Sequence, residues 1–218
     1  MVLTNELAKM LKDAVNIPVF IGHNIFSPED AEKMLAEGNA DFVALGRSQL
    51  AEPAWAKKAK EGRASDIKPC INCLIGCIDR GMLSHTPIHC TVNPSLYRFE
   101  CKPVEKAETR KQVAVVGAGP AGCEAALTAS KRGHQVTIYE KRCIGGAMIE
   151  ASKPENKANI KRLIHYYEDH IMHDPNITLV KEEVEYETLV HSGYDAVIIA
   201  HSQFEKIPLS RERQIALL

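Results

Sequence analysis

The stretch KQVAVVGAGPAGCEAALTASKRG, residues 111 to 133, constrains the fold of this chain more than any other. An apolar run ends on Gly117, Gly119 and Gly122 follow at once, and a helix-forming segment begins directly behind them. Strand, tight turn and helix in that order make the first half of a βαβ unit that faces a phosphate. The first glycine permits the turn, the second lets a pyrophosphate approach the backbone, and the third allows close helix–strand packing, while the helix N-terminus faces the anion. A second strand, QVTIYE, ends in Glu140, about 20 residues on, where a carboxylate is placed to hold adenosine ribose hydroxyls. In IGGAM, Gly145 and Gly146 bring a second stretch of backbone near the pyrophosphate, a pattern commoner in FAD than in NAD sites. The reading is a dinucleotide-binding domain over residues 111–218.

The N-terminal block, residues 1–63, alternates helix and strand. NELAKMLKDAV is amphipathic, IPVFIG and DFVALG are short apolar strands, and a helix from Pro28 lies between them. Ser27 is placed to cap that helix, Asp30 to reach back in a capping box, and Gly38 to end it. Two strands joined by a helix predict one βαβ unit of a parallel sheet or an α/β barrel. EPAWAKKAKEGR predicts a further short helix ended by Gly62.

Residues 64–110 read as a loop rich in cysteine and proline, with little periodicity. Cys70, Cys73, Cys77 and Cys90 have the spacing C-x2-C-x3-C-x12-C. Structural zinc is commonly held by two separated close pairs, whereas a tight trio with a distant fourth suits a cubane, three irons taking ligands from one loop. Spacing alone leaves a [4Fe–4S] cluster, zinc and unligated core thiols all open. Asn72, Gly76 and the loop amides are placed to donate to cluster sulfurs. Cys101, Cys123 and Cys143 are spaced like ordinary packed thiols.

With 27 Lys and Arg against 28 Asp and Glu, intermixed along the chain, no basic face points to nucleic acid or an anionic membrane. No apolar run approaches the ~20 residues of a spanning helix. Small molecules or proteins are the expected partners and the cytoplasm the expected location, where clustered cysteines bind metal or act in catalysis more often than they form disulfides.

The order of these pieces resembles a known family. A βαβ unit ending in ALGR, a cysteine loop followed by VNP, and then VAVVGAGPAG, IYEK and IGG look like the middle of the NADH:flavin oxidoreductases related to 2,4-dienoyl-CoA reductase, 2-enoate reductase and trimethylamine dehydrogenase. The resemblance implies an α/β chain comprising the C-terminal part of an FMN-binding (β/α)8 barrel, a [4Fe–4S] loop, and part of a Rossmann-like FAD (or ADP) domain. Its implied ligands are Cys70, Cys73, Cys77 and Cys90, and its implied partners are flavin nucleotides and NAD(P)H.

Carried over by position, the two N-terminal strands correspond to the seventh and eighth of the barrel. Gly22, His23 and Asn24 after the first, and Gly46 with Arg47 after the second, would grip the FMN phosphate. Many relatives have an arginine near Asn24. Lys157, in SKPENK, aligns with an FAD-contacting position. The six preceding barrel strands, the substrate's proton donor and the return segment of the FAD domain have no counterpart here. The expectation is therefore part of an iron–sulfur flavoenzyme that passes electrons between NAD(P)H, FAD, [4Fe–4S] and FMN to reduce an activated C=C bond of the enoate or dienoyl-CoA type or to oxidise an amine. The chain is expected to be inactive alone, with a further chain supplying the other strands and a homo-oligomer as expected partners. The alternatives are a non-catalytic zinc- and nucleotide-binding module, or an inert truncated product.

Overall fold

The computed structural model describes residues 2–96 and 104–201. In the N-terminal unit, helix α1 (Val2–Ala14) leads to strand β1 (Phe20–Gly22), helix α2 (Pro28–Ala36) and strand β2 (Phe42–Ala44). The strands pair in parallel, Phe20 opposite Phe42 and Gly22 opposite Ala44, as a βαβ crossover requires. The Ser27 side chain accepts the Asp30 N–H, and Gly38 closes α2 with φ +67°, the left-handed geometry of a helix stop. The capping box is only half made, because the Asp30 carboxylate accepts from Arg162 instead. Val19, Ile21, Ile25, Ala31, Met34 and Trp55 form a small core.

Two short helices follow, α3 (Arg47–Ala51) and α4 (Trp55–Lys60), the latter stopped at Gly62. The cysteine segment differs from the expected plain loop, for Ile75–Leu83 forms a wide π-helical turn. Asp79 N–H donates to Leu74 O at 3.0 Å and Ser84 N–H to Asp79 O at 2.8 Å, each spanning five residues. The apolar periods that reveal α-helices and strands do not reveal that spacing, and wide turns of this kind recur at functional sites.

The C-terminal unit is a four-stranded parallel sheet: β3 (Gln112–Val116), β4 (Gln135–Tyr139), β5 (Ile177–Val180) and β6 (Ala196–Ile199), in the spatial order β5-β4-β3-β6. Helix α5 (Pro120–Lys131) joins β3 to β4; α6 (Ala147–Ala151) and α7 (Ala158–His173) join β4 to β5; α8 (Tyr186–His191) joins β5 to β6. The chain moves outward through β4 and β5, then returns to the far side of β3. The β3/β6 boundary is thus a topological switch point, where doubly wound sheets open a crevice at their C-terminal ends. Val115, Val136 and Ile138 share one face of the sheet by register and are buried in one core with Cys123, Ala126, Leu163, Tyr167 and Ile171. Ala51, Cys70 and Val92 belong to the same core, which seats the cysteine segment on the sheet domain.

Candidate functional site

The three glycines of the turn meet three different surroundings. Gly117 has φ +100°, and a side chain there would stand 3.0 Å from Ala200 O and His201 N at the end of β6. A Cβ on Gly122 would lie 1.9 Å from Gly117 O, so α5 crosses β3 closer than any side chain permits. Around Gly119 nothing lies within 4 Å of where a Cβ would be. Gly119 precedes α5 with no side-chain cap on the helix's first turn, leaving open space where a pyrophosphate would approach.

Ala118 ties this turn together, which its sequence position does not signal. Its N–H donates to Glu140 Oε2 at 2.9 Å, its carbonyl accepts from Gly145 N–H at 2.8 Å, and the Cys123 thiol donates to the same carbonyl at 3.3 Å. Glu140 Oε1 also accepts from Arg142 N–H at 2.8 Å. Each carboxylate oxygen keeps a further lone pair for a hydroxyl. Gly145 and Gly146 have φ +118° and +51°, and a Cβ on Gly146 would come 3.0 Å from the Cα of Gly119. The second glycine pair therefore lies directly against the first turn. Lys157 is exposed in the turn Glu155–Lys157 that leads into α7.

Cys70, Cys73, Cys77 and Cys90 line one small cavity together with Ile71, Gly76, His89, Thr91 and Arg47. All four are free thiols. Among the described residues no group of three or more His, Cys, Asp or Glu side chains is already drawn together as metal ligands are. The donor set and its surroundings suit a multi-iron cluster. Asn72 N–H donates to Cys70 Sγ at 3.4 Å, and Thr91 Oγ1 lies 3.2 Å from Cys73 Sγ. Gly76 has no room for a side chain, since a Cβ would lie 2.5 Å from His89 O, and its own carbonyl accepts His89 N–H at 2.8 Å. That contact folds the arm bearing Cys90 back over the trio. Burial raises the Cys70 thiol above its ordinary pKa, partly offset by the Asn72 N–H and the Arg47 charge.

The residues expected to grip a flavin phosphate lie at the C-terminal ends of β1 and β2. His23 and Asn24 both have positive φ, +117° and +55°, and their side chains meet at 2.9 Å. Gly46 opens onto free space, and Arg47 reaches back so that one of its terminal nitrogens, Nη2, donates to Asn24 Oδ1 at 2.8 Å. Nη1 donates to Asn72 Oδ1, in the cysteine loop.

The remaining cysteines divide. Cys123 is a buried core thiol, pushed up to about 12 chiefly by burial. Cys143, expected to pack, is exposed, because it sits in the bend between β4 and the Gly145–Gly146 turn. Cys101 lies outside the described residues. A link that spacing could not reveal joins the cysteine segment to the sheet domain: Lys68 pairs with Glu124 of α5, and Tyr167 of α7 donates to the same carboxylate at 2.7 Å.

A switch-point glycine turn, a four-cysteine cavity and a parallel βαβ unit thus stand in one continuous α/β chain. Residues 2–66 match the NADH:flavin oxidoreductase / NADH oxidase family, and residues 111–214 match the pyridine nucleotide-disulphide oxidoreductases. The chain is thus similar in its N-terminal part to the NADH:flavin oxidoreductase family and in its C-terminal part to the second family. It is 50% identical over 157 residues to NADH oxidase of Thermoanaerobacter brockii, covering 71% of this chain and 24% of that protein. Bilirubin reductase of Mediterraneibacter gnavus is 33% identical over 207 residues, covering 94% of this chain and 32% of the relative. The solved structure of a 2-naphthoyl-CoA reductase superposes with a TM-score of 0.85 at 33% identity, over 90% of this chain and 30% of that one. The chain thus spans about a quarter to a third of the length of these relatives. Among the described residues no helix is long and apolar enough to cross a membrane.

Proposed function

We propose that this chain is part of an iron–sulfur flavoenzyme that carries reducing equivalents from NAD(P)H, by way of FAD, a [4Fe–4S] cluster and FMN, to an activated carbon–carbon double bond of the enoate or enoyl-thioester type. The observation that carries the reading is the adjacency of two sites: Arg47, at the end of the barrel-type unit, lines the cavity that holds all four cysteines. The likeness to two reductases supports it.

In this reading Cys70, Cys73, Cys77 and Cys90 hold the cluster. Gly22, His23, Asn24, Gly46 and Arg47 bind the FMN phosphate, and Gly117, Gly119, Gly122, Glu140, Gly145, Gly146 and Lys157 bind FAD or ADP. Residues 1–63, 64–110 and 111–218 are the three working parts. When bound, the flavins exchange one or two electrons and the cluster one, which is the chemistry that joins a hydride donor to a one-electron path. The chain's own contribution is placement. The amides of the glycine turn meet phosphate, Glu140 meets ribose, and the cysteine segment is fastened to the sheet domain through Lys68 and Glu124.

Phe20 and Phe42 stack at 4.6 Å on the two-stranded sheet, yet remain 66% and 50% exposed. Two strands cannot close a barrel. Further strands, in a longer form of this chain or in a partner, would cover these rings and supply the walls and proton donor of a substrate site. The proposed setting is the cytoplasm.

Anaerobic reconstitution of the full chain tests the reading. About four irons per chain with broad absorption toward the blue are expected, and Cys73→Ser should lose most of that iron while Cys143→Ser retains it. Stoichiometric zinc without colour would favour the zinc- and nucleotide-binding alternative. Purified chain loaded with iron and flavins should not reduce a 2-enoate with dithionite, and sustained turnover would overturn the view that other strands complete the site.

A further inference from the structure

Arg47 faces two ways. Nη2 donates to Asn24 Oδ1 at 2.8 Å on the loop after β1, and Nη1 donates to Asn72 Oδ1 between the first two cysteines. The guanidinium carbon lies 5.8 Å from the centroid of the Phe26 ring, so the group is held on a third side as well. The φ of Asn72, +55°, is left-handed, a region that asparagine enters more readily than most residues but that its side-chain contacts still help to select. In that conformation its N–H points to Cys70 Sγ, and the chain reverses so that Cys70 and Cys73 line the same cavity.

We propose that Arg47 is a positioning residue for the cysteine cage: it locks Asn72 in its left-handed conformation, and its fixed positive charge on the cavity wall raises the reduction potential of the cluster held there. The inference rests on the cluster reading above. The physical basis is direct. A cluster held by four thiolates becomes more negative on reduction, so a nearby cation that cannot lose its proton favours the reduced form. The same side chain would meet the flavin phosphate, for a guanidinium has five N–H donors and the two contacts to asparagine engage only two.

The test uses the full chain, reconstituted anaerobically with iron and sulfide, as wild type, Arg47→Gln, Arg47→Lys and Asn72→Ala. Midpoint potentials come from mediated redox titration followed by the paramagnetic signal of the reduced cluster. Amide hydrogen exchange of the cysteine loop is measured on the iron-free proteins. Arg47→Gln should shift the potential downward, while Arg47→Lys, which keeps the charge, should restore most of that shift. Asn72→Ala should leave the potential nearer wild type than Arg47→Gln does. Exchange at Asn72 and Cys73 should be faster in both Arg47→Gln and Asn72→Ala. A wild-type potential in Arg47→Gln, or equal shifts in the Gln and Lys variants, would overturn the electrostatic role; unchanged exchange would overturn the positioning role. Should Arg47→Gln fail to fold, Arg47→Met, which also removes the charge, takes its place in each comparison. Wild type that takes up no iron would overturn the cluster reading and this inference with it, whereas a loaded wild type with an indifferent Arg47 removes only the inference.

Discussion

The carboxylate of Glu140 accepts the backbone N–H of Ala118 at 2.9 Å, so the side chain expected to hold a ribose also holds the glycine turn in place. Glu140→Ala removes both functions and Glu140→Gln keeps one acceptor oxygen without the charge. ADP binding, measured by calorimetry, should weaken by about 1.5–3 kcal/mol per charged hydrogen bond lost in Glu140→Ala, and by less in Glu140→Gln. A lower melting temperature with unchanged ADP affinity would confine Glu140 to the turn.

Gly119 and Gly122 should fail in different ways when substituted. Gly119 faces open space, so Gly119→Val should fold with near-native circular dichroism and bind no dinucleotide, its side chain filling the phosphate's place. In Gly122→Ala the methyl must displace the Gly117 carbonyl, which would be 1.9 Å away, and the cost should exceed the ~1–3 kcal/mol usual for overpacking. Denaturant melts with ADP titrations separate the two. A stable Gly122→Ala protein would show that α5 is free to shift away from β3.

Tyr167 carries a hydroxyl into an otherwise apolar core, where Glu124 accepts it at 2.7 Å beside Lys68. Burial and the Glu124 charge raise this phenol well above its ordinary pKa, so it stays a neutral donor throughout the physiological range. Tyr167→Phe leaves the packing intact and removes one hydrogen bond to a charged group, an expected loss of about 1.5–3 kcal/mol, toward the lower end because Glu124 is 36% exposed. Chemical denaturation of both proteins checks the figure, and an unchanged midpoint would show that Lys68 alone satisfies the carboxylate.

Thiol reactivity should follow the division between Cys123 and Cys143. A raised thiol pKa lowers the thiolate fraction at any pH below it. At about 12, Cys123 would be ionised in only about one molecule in ten thousand at pH 8, in addition to being buried. Iodoacetamide at that pH should modify exposed Cys143 within the native protein and reach Cys123 only on unfolding. Mass mapping of native and denatured samples provides the measurement, and early native labelling of Cys123 would mean that the β3–α5 junction opens readily.

The parallel units and their glycines are legible in the amino-acid order alone, because they rest on local physics. Alternating and helical apolar periods, Ser27 and Gly38 as helix signals, and Gly117 and Gly122 at points of close approach act over a few residues, and the structure repeats them. Local periodicity could not reveal the π-turn at Ile75–Leu83, whose five-residue hydrogen-bond spacing leaves no familiar apolar pattern. Nor could it show that Ala118 is the hub of the nucleotide turn, since that role is played by its peptide group and not by its methyl side chain. The tertiary structure decided which distant groups meet: Arg47 with Asn72, Lys68 with Glu124 and Tyr167, and Gly117 with Ala200. Those contacts depend on β6 returning beside β3 and on the cysteine segment packing into the sheet domain's core, and such long-range choices are set by the summed burial of many apolar residues rather than by any one motif.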